Sequence, residues 1–393
     1  MNKLFIAIFV FASTLTTTVF AEIKVGIILG FTGPIETLTP AMADSAELAF
    51  NEASDSGSLL NGETISVIRA DSTCKDSDAA TAAAEGVIAQ GVTSIIGAVC
   101  SEVTKSILSN SVIPNKMVMI SPAATSLKLI SLDDRGYFFR TAPSDTRGGQ
   151  VLADITKDRK VRKVAVTYTN DDYGKGLAEA YKVAVETHGI KVTSIIVHED
   201  NKTDYSSEVA TLASAGGDAM AIIGYHDQGG KRIIQASLDS GAFDKFILSD
   251  QMIDQSLIDT FAKQLKKSFG YIPGSTGRGR SFFTKIANIN GINSLGPYTG
   301  ESYDAAAIIV LAMQAAGSND GTAIAKKVID IANGPGTKIY PGEIKKGLDL
   351  LAKGKKIDYE GATGVTFNSD GGANGSFLEQ EIKGKKFKTK KQR

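Results

Sequence analysis

Two successive blocks of the chain alternate short, continuously apolar runs with amphipathic stretches, and that rhythm leaves few folds open. In the first block strands are expected at Ile23–Leu29, Ile65–Ile68, Val92–Ile96 and Met117–Ile120. Helices are expected between them, at Pro40–Ala53, Asp76–Ala89 and Glu102–Ser109. A second block begins near Asp145, with strands expected at Lys163–Tyr168, Lys191–Val197, Ala219–Gly224 and Lys245–Leu248. Its helices are expected near Gly174–Thr187, Ser206–Ala215 and Gly229–Ser240. Strands that are apolar throughout must be covered on both faces, which calls for a parallel sheet between helices. The pattern therefore predicts two α/β units, with Ala142-Pro143-Ser144 as their junction.

After about Gly270 the rhythm changes. Gly270–Arg280 is rich in Gly, Pro and Ser and reads as a second crossing between the units. Helices are then expected at Phe282–Ile289, Tyr298–Ala316, Gly321–Ala332 and Gly342–Lys353. A short hairpin of Gly364–Phe367 and Ser376–Ile382, turning over Asn368–Asn374, should follow. The late helices must cover one of the two sheets, so the units are discontinuous. The expected division is 22–142 with about 274–372, and 143–273 with about 373–393.

Residues 1–21 carry Lys3, an apolar core from Leu4 to Ala12, and small residues before a cut after Ala21. That is the layout of a cleaved secretory signal peptide; the apolar core is short for a membrane span. Export changes how the only two cysteines read. In an oxidising compartment Cys74 and Cys100 are expected to pair, with two buried free thiols as the alternative. Each follows a predicted strand. If those strands are neighbours, both sulfurs lie at one sheet edge.

The 43 basic and 43 acidic residues balance, which argues against a dedicated nucleic-acid binder. The balance is a sum of unlike parts. Lys383–Arg393 holds seven basic residues and no acid; without it and the signal segment, the body carries −8. The basic end reads as a solvated, frayed terminus, with contact with anionic lipid or the permease as the alternative. With no Trp, three His and two Cys, the chain is poorly equipped for metal sites or His-based catalysis. Gly26, Gly30 and Gly33 are spaced G-x-x-x-G-x-x-G, which is not a dinucleotide fingerprint. Phosphate-loop, zinc-protease and nucleophile-elbow motifs are absent, and no cofactor is implied.

In open α/β sheets ligands bind beyond the carboxyl ends of the strands, so the loops there matter most. Cys100-Ser101 follows the third strand of block one, and Ser121-Pro122-Ala123-Ala124-Thr125-Ser126 follows the fourth. Hydroxyls and backbone amides in such loops can hold a carboxylate; Ser101 and Thr125 could equally be helix N-caps. In block two, Asp250 follows the fourth strand. A buried carboxylate needs a partner, and a ligand ammonium would supply one; capping the next helix is the alternative. Tyr173 follows the first strand of that block. Tyr225 and His226 follow the third, where His226-Asp227 reads as a polar rim.

These residues carry a family resemblance. The chain resembles the substrate-binding proteins of branched-chain and hydrophobic amino-acid ABC transporters, the leucine/isoleucine/valine-binding protein family, over about Ile23 to Lys386. Its markers are Val25-Gly26, Thr32-Gly33-Pro34, Ile96-Gly97-Ala98, Cys100-Ser101 and Ile120-Ser121-Pro122-Ala123-Ala124-Thr125. They continue with Phe139-Arg140-Thr141, Asp172-Tyr173-Gly174-Lys175-Gly176-Leu177, Tyr303-Asp304-Ala305 and Ile357-Asp358-Tyr359-Glu360-Gly361-Ala362-Thr363-Gly364.

The resemblance implies a type I periplasmic binding protein fold: two doubly wound parallel-sheet lobes joined by three crossings. It implies a ligand α-carboxylate held by Ser101, Thr125 and backbone near Ala123 and Ala124, and an α-ammonium held by Asp250, Thr125 and the Ala123 carbonyl. Tyr173, Tyr225 and Tyr303 would line the pocket, with His226 competing for Tyr225's place. The family's cysteine pair matches Cys74 and Cys100. Two departures bear on specificity. Leu38 stands where relatives often carry an aromatic residue, and Asp250 is one methylene shorter than the usual Glu. The implied protein is a periplasmic monomer that delivers an amino acid, branched-chain or other, to an ABC permease and catalyses nothing; His226 and Asp227 leave a polar amino acid open. An amide or urea binder, a ligand-sensing receptor of the same fold, and an exported enzyme are the alternatives.

Overall fold

The computed structural model describes residues 22–393; the expected signal peptide, residues 1–21, lies outside them. Its first sheet is built from β1 (Glu22–Leu29), β2 (Thr64–Asp71), β3 (Ser94–Gly97), β4 (Val118–Ser121) and β5 (Phe138–Arg140), all parallel, in the order β2-β1-β3-β4-β5. Helices α1 (Thr39–Asp55), α2 (Ser77–Ala89), α3 (Ser101–Ile107) and the short α4 (Leu127–Ile130) connect these strands. β1 and β3 are buried on both faces, which is why they are apolar at successive positions.

The second sheet repeats the plan. After α5 (Asp145–Asp158) come β6 (Lys163–Thr169), α6 (Asp172–Thr187), β7 (Lys191–His198), α7 (Ser206–Ala215), β8 (Ala219–Ile223), α8 (Gly229–Ser240), β9 (Phe246–Leu248), α9 (Gln255–Phe261) and β10 (Phe269–Pro273). The parallel part is ordered β7-β6-β8-β9-β10, the same winding as the first sheet. In each, the order reverses beside the first strand, between it and the third, and the carboxyl ends there form a crevice.

The chain then returns to the first unit with α10 (Arg278–Ile289), α11 (Thr299–Ala316), α12 (Gly321–Ala332), β11 (Thr337–Ile339), α13 (Ile344–Ala352), β12 (Ile357–Tyr359), β13 (Thr366–Phe367) and β14 (Ala373–Asn374). α11 packs on α1, α12 and α13 and reaches β3 and β4. Every residue from Thr299 to Met313 is buried, so this helix is hydrophobic all round, as a helix enclosed by its neighbours must be. The last crossing leads to β15 (Phe377–Lys383), which joins the second sheet antiparallel to β10, and to β16 (Lys386–Gln392), which pairs antiparallel with β15.

Several expectations need correction. Gly270–Arg280 is not all crossing: Phe269–Pro273 is a buried strand, and α10 starts at Arg278. The expected hairpin does not form either. Thr366–Phe367 pairs with Ala373–Asn374, while Phe377–Lys383 pairs with β10 and β16. The basic terminus is not frayed; it is β16. Arg393 exchanges backbone hydrogen bonds with Phe377 (2.8 and 3.1 Å) and its guanidinium ion-pairs with Glu379 and Asp158. Finally, the strands before the two cysteines are not neighbours. They flank β1 on either side, and Cys74 and Cys100 meet beyond its end in a disulfide, Cα to Cα 5.2 Å.

Candidate functional site

The carboxyl ends of the two sheets face each other, and the polar residues of the loops there are buried. On the first side, β3 ends in Gly97, whose φ of +139° suits glycine; a Cβ there would run into the Ile28 carbonyl oxygen. This close approach delivers the chain to Cys100 and then to Ser101, the first residue of α3. Ser101 Oγ accepts from the Ser126 amide at 3.2 Å, which leaves its proton free to donate. Ser121 Oγ donates to the Ala98 carbonyl (2.5 Å) and accepts from the Ala124 (2.9 Å) and Ala123 (3.3 Å) amides. Those two amides therefore serve the loop's own geometry. Thr125 is 2% exposed, and its hydroxyl has no hydrogen-bond partner in the protein.

On the second side, Asp250 follows β9 and is 2% exposed. Its Oδ1 accepts from Tyr173 (2.6 Å) and the Gln251 amide (3.1 Å), and its Oδ2 accepts from Tyr298. Burial raises the Asp250 pKa, and the two phenols oppose the rise. Burial also pushes both phenols well above the usual tyrosine value, so they remain donors. Tyr173 is set by the start of α6, where the Asp171 side chain caps the Gly174 amide at 2.8 Å. A side chain at Gly174 would collide with the Thr169 carbonyl. The Tyr173 ring stacks on Tyr225, with centroids 5.6 Å apart, and Tyr225 donates to Asp171 at 2.8 Å.

Between the two sides lies Asp145, at the start of α5. Its amide donates to the Thr125 carbonyl at 3.0 Å, while its Oδ2 has no hydrogen-bond partner. Burial, reinforced by the charge of Asp250 and opposed by the nearby Thr125 hydroxyl, which closes no hydrogen bond to it, and by Arg140, pushes its pKa up to about 8. Arg140, also buried, donates to the Ser126 (3.0 Å) and Ala124 (3.4 Å) carbonyls.

Direct bonds join the two units around this cluster. Lys75, next to the disulfide, reaches Asp171 (2.8 Å), Asp200 (2.7 Å) and the Thr169 hydroxyl (3.1 Å), 5.0 Å from the Tyr225 ring centroid. Two successive left-handed residues, Thr73 and Cys74 (φ +55° and +72°), aim it there. Burial disfavours its charge, but the two carboxylates outweigh that and raise its pKa. Lys128 (2.5 Å) and Lys105 (3.2 Å) converge on Asp172; they overcome its partial burial and hold its carboxyl below the ordinary range. Thr37 donates to Asp227 from its amide (3.1 Å) and hydroxyl (2.9 Å), and its hydroxyl lies 2.6 Å from His226 Nε2.

The structure thus brings Tyr173 and Tyr225 into the Asp250 cluster and puts Thr125 beside Asp145. His226 belongs to the interlobe contact with Thr37, and its Nδ1 lies 3.0 Å from the Gln251 carbonyl. Leu38 is buried at the start of α1. Tyr303 stands apart. Its hydroxyl bonds Glu52 on α1 and accepts from the Gly342 amide at 3.1 Å. The neighbouring aromatic that reaches Asp250 is Tyr298, held left-handed at φ +61° just before α11. Sequence reasoning placed Tyr298 only as a helix start; its position after Gly296-Pro297, in a loop, was the available signal. Asp145 and Lys75 were also missed. An open groove of about 790 Å³ between α5 and α6 borders Ser126, Lys128 and Asp172 but is not lined by Ser101, Thr125, Asp145 or Asp250.

Two doubly wound lobes of the same strand order, joined by three crossings and closed over buried, partly unsatisfied polar groups, define the type I periplasmic binding fold. The chain belongs to the periplasmic binding protein family, which it matches over residues 22–380. Two relatives from Brucella melitensis biotype 1 are similar along the sequence. Leu/Ile/Val-binding protein homolog 1 is 28% identical over 91% of this chain and 93% of its own. Homolog 3 is 31% identical over 58% of this chain, a match that spans 62% of the relative's length. Among solved structures, the branched-chain amino-acid transporter substrate-binding protein of Streptococcus pneumoniae, in complex with isoleucine, superposes with a TM-score of 0.77 at 17% identity, covering 95% of this chain and 99% of that one. No helix among the described residues is long and apolar enough to cross a membrane.

Proposed function

We propose that the protein captures a branched-chain or related amino acid between its lobes, in the periplasm, and hands it to an ABC permease without chemical change. The observation that supports this reading is that polar groups are buried at the carboxyl ends of both sheets, Ser101 and Thr125 on one and Asp250 on the other. Hydroxyls at Ser101 and Thr125, the latter unpartnered, suit a carboxylate. Asp250 on the other side suits an ammonium, with charge-assisted hydrogen bonds at both ends of the ligand. Tyr173, Tyr225 and Tyr298 would cover the ligand from around Asp250. Leu38 and Tyr303 have no part in this clamp. The names of the relatives support a Leu/Ile/Val-type ligand.

Binding would work by hinge closure. A ligand held by one lobe gains contacts from the second only when the lobes meet, so it shifts the population towards the closed form. The ion pairs of Lys75 with Asp171 and Asp200, and of Lys105 and Lys128 with Asp172, span the two lobes and would be broken on opening.

A thermal-shift screen of the purified protein against amino acids, amides and urea tests the reading. Leucine, isoleucine or valine should raise the melting temperature, because a ligand at a hundred times its Kd adds about 2.7 kcal/mol of stability. No shift with any zwitterionic amino acid would overturn it, and a shift with amides alone would move the protein to the amide-binding alternative.

A further inference from the structure

One corner of the second lobe carries a concentration of charge that the amino-acid site does not use. β16 is the edge of the seven-stranded sheet, and Lys386, Lys388, Lys390 and Lys391 along it are all exposed. α9 packs against β16 and the turn at Gln264–Lys267 packs against β15, so Lys263 and Lys266 share the corner. The Gln255 side chain also donates to the Lys385 carbonyl at 3.0 Å.

Part of the basic charge of this corner is already paired: Lys383 with Glu381, Lys390 with Glu379, Lys391 with Asp158 and Lys267 with Asp244. The arginines are consumed internally: Arg393 binds Glu379 and Asp158, and Arg159 binds Glu379 and Glu381. Lys263, Lys266, Lys385, Lys386 and Lys388 are exposed and, among the described residues, none lies within 4.0 Å of a carboxylate. Charged edges do protect a sheet from pairing with another chain. That role accounts for lysines on the strand but not for Lys263, Lys266 and Lys385, which lie off it. The remainder of the chain is acidic, so the molecule is polarised, and such a molecule is oriented by a field of the opposite sign.

We propose that this lysine-bearing edge docks on an anionic phospholipid surface. Lysine ammoniums are mobile, strongly hydrated point charges that suit the diffuse charge of lipid headgroups, whereas recognition of fixed carboxylates on a protein favours the planar arginine fork. Arginine is missing from the free set.

The test is co-flotation of the full chain with vesicles of phosphatidylglycerol in phosphatidylcholine against vesicles of phosphatidylcholine alone. Binding to the anionic vesicles should be stronger by about tenfold or more and should be lost at high salt. The variant carrying Lys263→Gln, Lys385→Gln, Lys386→Gln and Lys388→Gln should lose it. A variant with the same charge change on the first lobe, Lys116→Gln, Lys285→Gln, Lys353→Gln and Lys355→Gln, should keep it. Equal binding to both vesicle types overturns the proposal, as does retained binding by the edge variant. So does binding to soluble polyglutamate without binding to vesicles, which would assign the edge to an acidic protein. Circular dichroism and the amino-acid thermal shift of each variant confirm folding independently.

Discussion

The two lobes wind their strands in the same order yet present opposite chemistry where they meet. The first offers hydroxyls at Ser101 and Thr125 and a fringe of cations, Lys75, Lys105 and Lys128. The second offers carboxylates at Asp171, Asp172, Asp200 and Asp250 and the phenols of Tyr173 and Tyr225. Strand order decides where a site lies, and the loops decide what it binds. The polarity also gives closure an electrostatic component, because each interlobe ion pair takes its cation from the first lobe and its acid from the second.

The largest effect should come from removing the pin of the first lobe. The disulfide closes a loop with a sequence separation of 26, for which chain entropy gives about 3–4 kcal/mol. Cys74→Ser with Cys100→Ser should lower the urea midpoint accordingly and weaken ligand binding, since Lys75 and Ser101 flank the bridge. An unchanged midpoint would mean the first lobe needs no pin. On the second side, Asp250→Asn should cost leucine or isoleucine about tenfold to a hundredfold in affinity by calorimetry, the range for a hydrogen bond to a charged group. Unchanged affinity would reduce Asp250 to a partner for its two tyrosines.

Smaller effects separate hydroxyl from charge. Thr125→Val removes one hydroxyl and should weaken binding about fivefold, near 1 kcal/mol. Lys75→Met should weaken binding and enlarge the bound protein in small-angle scattering, because Asp171 and Asp200 would lose their cation. The mildest test uses pH. Asp145 is raised to about 8, Glu301 to about 7 and Asp304 to about 6, all mainly by burial. Raised acids hold protons in the folded state that the unfolded chain has released. Their contribution is complete below about pH 4 and is lost as pH rises through these values. Melting temperature should therefore fall between about pH 4 and 8 from this source, and Asp145→Asn should flatten the upper part of that slope.

Much of the fold was legible because parallel strands covered on both faces must be apolar at every position, as Ile27-Ile28-Leu29 and Met220-Ala221-Ile222 are. The strands that escaped break that rule. β5 contains Arg140, whose charge is met by carbonyls from another loop. β10 contains Gly270 and Pro273 and looks like a linker. β16 looks like a disordered tail because its run of lysines carries no acid of its own; the acids that hold it are Glu379 on the neighbouring strand and Asp158, which is remote in sequence. At the site, residues directly after strands were readable from topology. Asp145, Lys75 and Tyr298 were not, because each takes its meaning from residues far away in the chain, a relation that local pattern does not encode. Helical register likewise could not separate Tyr298 from Tyr303, since Tyr298 sits before α11 in a left-handed conformation.

In the proposed clamp the first lobe holds a carboxylate and the second an ammonium. Calorimetric titration with leucine, with 4-methylpentanoate, which lacks the amine, and with 3-methylbutylamine, which lacks the acid, tests it most directly. Leucine should bind one-to-one, with losses of about a hundredfold or more for each truncated compound, because each leaves one buried half-site unpaired. Binding of either truncated compound as tight as leucine would contradict the clamp.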